Sequence, residues 1–179
     1  MHSLVITALA AFISLLASNA TSQSLAHLDT AEVRRWREDL AVLREEMPKQ
    51  HANLFHGMTH TQFDSALGNI DQHLPSLARH EVIVALQRLC ALVGDGHSNV
   101  GPWRDTAVAF HELPISLYWF EDGVFVRAAR EEHPDLVGAR VLAIGGVSIE
   151  EAIARVQPLI SRDNEMAVRA WAPLLLTMP

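Results

Sequence analysis

Lysine is nearly missing from this chain: Lys49 is the only one among 179 residues. There is no basic block and no interleaving of aromatic with basic residues, and the net charge is −7. The cationic footprint that a phosphate backbone demands is therefore lacking, which argues against a nucleic-acid partner. The scarcity also bears on catalysis. A serine–lysine dyad would have to use Lys49, which sits just past Pro48 with no marked serine motif beside it. Cysteine is single as well, so Cys90 excludes an internal disulfide, and its place on the apolar side of a helical stretch predicts a buried thiol. No Gly-x-Ser-x-Gly elbow occurs, and there is no internal repeat or low-complexity tract.

What is present describes an ordinary globular chain of one or two small domains, 49% hydrophobic and 20% charged. It is preceded by a targeting segment. Leu4 to Leu16 is apolar apart from Thr7 and Ser14, and Ser18-Asn19-Ala20 supplies a small-x-small cleavage site. Residues 1–20 are thus expected to be a signal peptide, with an uncleaved amino-terminal anchor as the alternative. Export without disulfides points to a bacterial cell envelope, periplasmic or extracellular. No stable membrane span is expected after cleavage.

The pattern over residues 21–105 is helical. Asp29 and Glu32 have capping-box spacing, and Val33, Trp36, Leu40, Leu43 and Met47 recur at threes and fours up to Pro48. A second stripe, Phe63, Leu67, Ile70 and Leu74, starts near Thr59, with Gln62 three residues on, and is stopped by Pro75. A third, Val82, Leu86, Leu89 and Val93, lies within a helix expected from about Leu77 to Val93. A small antiparallel bundle follows, with Trp36 as packing. Residues 106–162 change character. Leu113–Phe120 and Val124–Val126 flank a turn at Glu121-Asp122-Gly123 and predict a hairpin. Val141–Ile144 predicts a further strand closed by Gly145-Gly146, and Ser148 with Glu151 predicts a capping box for a short helix. Residues 163–179 read as another helix cut off at Pro179, its Leu174-Leu175-Leu176 run left with little to pack on. The fold class is α+β.

The third helix runs out into Gly94-Asp95-Gly96-His97. Gly94 stands where a left-handed cap is needed, Asp95 can bond neighbouring N–H groups, and His97 then projects from a short rigid corner suited to proton transfer near neutrality. Ser98 to Val100 could begin an extended segment. Ser98 is adjacent to His97 in sequence, so a direct bond between the two side chains is not expected. Metal binding is the rival use of the ten histidines. His56 and His60 have helix-face spacing but an unfavourable Gly57-Thr59 background, and Asp95 with His97 lacks a near third ligand. Neither a metal nor another cofactor is assigned. His51, near Asn53 and Phe55, is read as a conformational lock of its loop.

Taken in order, Trp36-x-x-Asp39-Leu40, His51-Ala52-Asn53-Leu54-Phe55, Leu92 to Ser98, Leu113-Pro114-Ile115 and Gly138 to Gly146 resemble the amino-terminal part of a tail-specific (C-terminal processing) serine peptidase of the tricorn-like branch. The resemblance spans about residues 31–176. It implies a three-helix region followed by a PDZ-like α/β module, with the catalytic core absent from this chain. It also implies that His97 is the general base and that peptides or proteins are the substrates of the intact enzyme. Gly94, Asp95 and Gly96 are read from their turn spacing as shaping the loop, with Asp95 serving the turn and not orienting the imidazole. The nucleophilic serine and its acidic partner would belong to that absent core, so the chain alone is expected to be an inactive fragment. The alternative is a stand-alone envelope module that binds peptides or proteins without catalysis.

Overall fold

The computed structural model describes residues 26–101, 108 and 110–178. The expected signal peptide and the boundary expected at 105/106 lie outside them. The architecture is α+β, with five helices and two small antiparallel two-stranded sheets among the described residues. None of these helices is long and apolar enough to cross a membrane.

Helix α1 (Thr30–Gln50) opens with the capping box foreseen from its sequence: Glu32 N–H donates to Asp29 Oδ1 at 2.7 Å, and Asp29 N–H donates to Glu32 Oε2 at 3.0 Å. It runs past Pro48, contrary to the expected stop. A proline deletes only its own i−4 bond, and His51 N–H still donates to Met47 O at 3.0 Å to close the last turn. Helix α2 (His60–His73) begins with a second capping box, Thr59 with Gln62. Helix α3 (Arg79–Val93) starts two residues later than expected, with Glu81 accepting from the Ala78 N–H. The predicted stripes meet where α2 packs against both α1 and α3. Phe63, Leu67, Leu74, Val82 and Val93 are fully buried, and Trp36 packs at their edge beneath the Arg79 guanidinium.

The second half is built on a hairpin of β1 (Ile115–Phe120) and β2 (Gly123–Ala129), with a register irregularity at Ser116/Leu117. Gly123 has φ +144°, and the Arg140 guanidinium lies against the space a Cβ would take. The strand expected over Val141–Ile144 is mostly not one. Only Ala143–Ile144 (β3) pairs with Val147–Ser148 (β4), whereas residues 138–141 run along the outer edge of β2, bonding Val124 and Val126. Periodicity alone could not reveal that choice of partner. Ser148 Oγ accepts from the Glu151 N–H and starts α4 (Ile149–Val156), and a turn at Gln157–Leu159 then lies against α3.

Helix α5 (Met166–Leu175) closes before Pro179, with Thr177 Oγ1 and N–H both donating to Leu174 O. The final leucines correct a second expectation, because they do find something to pack on. Leu176 is buried with Leu117, Val124 and Ile153 under the hairpin, and Leu175 packs against Ile160, Val168 and Ala172.

Candidate functional site

The end of α3 carries the corner. Gly94 adopts the left-handed conformation (φ +77°, ψ 28°), which reverses the chain at no steric cost and frees Asp95 to gather donors. Its Oδ1 accepts from the His97 N–H at 3.0 Å; its Oδ2 accepts from Ser98 Oγ at 2.7 Å and faces His51 Nε2 at 2.9 Å. These bonds, led by the His97 amide and followed by Ser98 and His51, hold the carboxyl well below the usual carboxylate range. No strand forms over Ser98 to Val100, because the turn continues with Ser98 N–H donating to Asp95 O.

His97 therefore has its main chain pinned and its ring free. The side chain is 93% exposed, and Nδ1 lies 3.4 Å from Asp95 Oδ1. An ionised carboxylate at that nitrogen favours the tautomer with the proton on Nδ1, leaving Nε2 as the basic atom. Ser98 is no nucleophile for this ring, since its hydroxyl is committed to Asp95.

Two other parts of the chain grip the corner. The first is the loop between α1 and α2. Asn53 N–H donates to His51 Nδ1 at 3.1 Å, so that nitrogen carries no proton and Nε2 is the donor to Asp95. His56 Nδ1 is 2.8 Å from Asn53 O, and its Nε2 is 3.1 Å from Gly94 O. The second is Asp163, from the loop before α5, whose Oδ1 accepts from the Gly96 N–H at 3.0 Å. Its Oδ2 stands 2.8 Å from where a Cβ on residue 96 would be.

Asp163 is the residue that sequence reasoning missed. Sixty-seven positions separate it from Gly96, and nothing local marks it. It also supplies the third group that the sequence lacked beside Asp95 and His97. One ligand atom from each of the three lies within 4.8 Å of the others. Asp95 and Asp163 are already engaged by backbone and side-chain donors, and the grouping carries no metal assignment. His56 and His60 do not converge on a common point: His56 turns to the two carbonyls and His60 Nδ1 to Asp64 at 2.9 Å.

No protein-family model, curated protein or solved structure matches the chain.

Proposed function

We propose that this chain supplies the general-base corner of an exported serine-type peptidase of the tail-specific kind, with His97 as the base. The observation that carries the reading is the exposed His97 ring beside ionised Asp95, on a backbone fastened by Asp95, Asp163 and the His51–His56 loop. A base needs a carboxylate near one nitrogen and open space at the other, and this ring has Asp95 Oδ1 3.4 Å from Nδ1 and is otherwise exposed. In the complete reaction Nε2 takes the proton from a serine hydroxyl as its oxygen attacks the peptide carbonyl. It then returns that proton to the leaving amine as the acyl–nitrogen bond breaks. The serine is proposed to come from a catalytic core outside this chain.

In this reading the second half corresponds to a PDZ-like module. Its hairpin, short α4 and exposed aromatic face are compatible with that role. The outer edge of β2 is already occupied by residues 138–141, so an added peptide strand would need a different edge. Tyr118 and Phe120 are exposed with ring centroids 4.5 Å apart, and Phe125 meets Phe120 edge-on. That strip is apolar surface of the kind a docked core or partner would cover. The same strip favours a second reading, an envelope binding module with no catalysis.

The test is to read the coding frame past Pro179 and express what it encodes. The proposal expects a longer protein with peptidase activity that falls on the order of 10²–10⁴-fold in His97→Ala. A stop codon, combined with specific peptide binding by the chain as it stands, favours the binding module.

A further inference from the structure

Among the described residues the His56 ring touches two acceptors and no donor: Nδ1 faces Asn53 O at 2.8 Å and Nε2 faces Gly94 O at 3.1 Å. A neutral imidazole has only one N–H, so making both bonds requires the imidazolium. The surroundings favour the same charge state. Gly94 caps the C-terminal end of α3, where unpaired carbonyls and the helix dipole attract a cation. Among the described residues, Asp95 and Asp163 are the carboxylates whose charge acts on the ring, and the other titratable group against it is His51, stacked at 6.5 Å with an interplanar angle of 8°. His51 brings no competing charge while its Nδ1 accepts from Asn53. The loop itself is seated tightly, because a Cβ on Gly57 would stand 2.7 Å from Val93 O.

The geometry points to His56 as a proton-dependent staple that, as the imidazolium, ties the His51–Gly57 loop to Gly94 and so fixes the backbone that presents His97. The claim concerns the corner's order and stands apart from whether His97 acts as a base. Its sign follows from the bonding. The two carbonyl bonds, first that to Asn53 and then that to Gly94, raise the ring's folded pKa above the ordinary 6.5. The stapling is therefore complete below about pH 6.5 and is lost as pH rises through the elevated folded value. Loss of the proton costs one of the two bonds and frees the loop or the Gly94 carbonyl.

Two NMR measurements on the intact chain test this. Long-range ¹H–¹⁵N correlation should show both His56 ring nitrogens protonated at pH 6, with one deprotonating at higher pH. Amide exchange at Gly96 and His97, corrected for its intrinsic pH dependence, should lose about three- to tenfold protection across that same transition. In His56→Phe the loss should already be complete at pH 6, and no step should remain up to pH 9. A neutral His56 ring at pH 6, or corrected protection without a step across the wild-type ring's titration, would overturn the staple. Those wild-type readings need no variant, so an unfolded His56→Phe would leave the test intact.

Discussion

A missing methyl group separates two glycines that look alike in the sequence. At Gly96 a Cβ would press on Asp163 Oδ2, the end of an exposed side chain that can swing away. At Gly57 it would press on the Val93 carbonyl, which cannot move without disturbing α3. Gly96→Ala should therefore cost well under about 1 kcal/mol while abolishing amide protection at residue 96, whereas Gly57→Ala should cost about 1–3 kcal/mol in urea unfolding. Equal costs would mean that the loop is not seated on the helix end as described. Asp95 gives a pH prediction of opposite sign to that of His56. Its folded pKa is depressed, so its contribution is present above about 3.8 and is lost as pH falls toward the folded value. In Asp95→Ala that acid-side loss should be missing from the stability profile, and the His97 amide, the Ser98 hydroxyl and His51 Nε2 lose their acceptor. Cys90 behaves as its sequence position suggested: buried in α3, its thiol is pushed up to about 11 by desolvation. A thiol reagent at pH 8 should react only at the rate of unfolding; prompt labelling of the native chain would contradict the burial.

At the scale of elements, the capping boxes were the most legible features. Asp29 with Glu32 and Thr59 with Gln62 start α1 and α2 where their spacing placed them, because the motif's bonds are local to four residues. Asp29→Ala should cost about 1 kcal/mol in thermal unfolding. Helix ends read less well. Pro48 lies inside α1 and Pro173 inside α5, since a ring in the last turn removes one bond without affecting the bonds of the residues that follow. Strand partners were legible only for the hairpin, where the Glu121–Gly123 turn joins neighbours in sequence. Val141 looked like the start of a strand ended by Gly145-Gly146, yet it bonds to Val124 on the hairpin edge, and only Ala143–Ile144 pairs across that glycine turn. The candidate site divides the same way. The turn Gly94–His97 is visible because glycine geometry is local. The carboxylate of Asp163 and the double clasp of His56 are tertiary, and no spacing rule reaches 38 or 67 residues away.

Across the whole molecule, one core gathers beneath the three helices and another beneath the hairpin, with α3 and the Gln157–Leu159 turn in contact between them. His97 stands beside that contact, held on one side by the helical half and on the other by Asp163. The bundle core is dominated by Phe63, which is 0% exposed, and Phe63→Ala should cost about 3–5 kcal/mol. A reading in which this scaffold exists to present a base makes its strongest commitment at His97. The direct measurement is peptide hydrolysis by this chain joined to the serine-bearing core proposed for it, compared with the His97→Ala and His97→Gln variants at matched folding. The account predicts that both variants lose activity on the order of 10²–10⁴-fold while peptide affinity is retained. Full activity in either variant would contradict it and remove His97 from the chemistry.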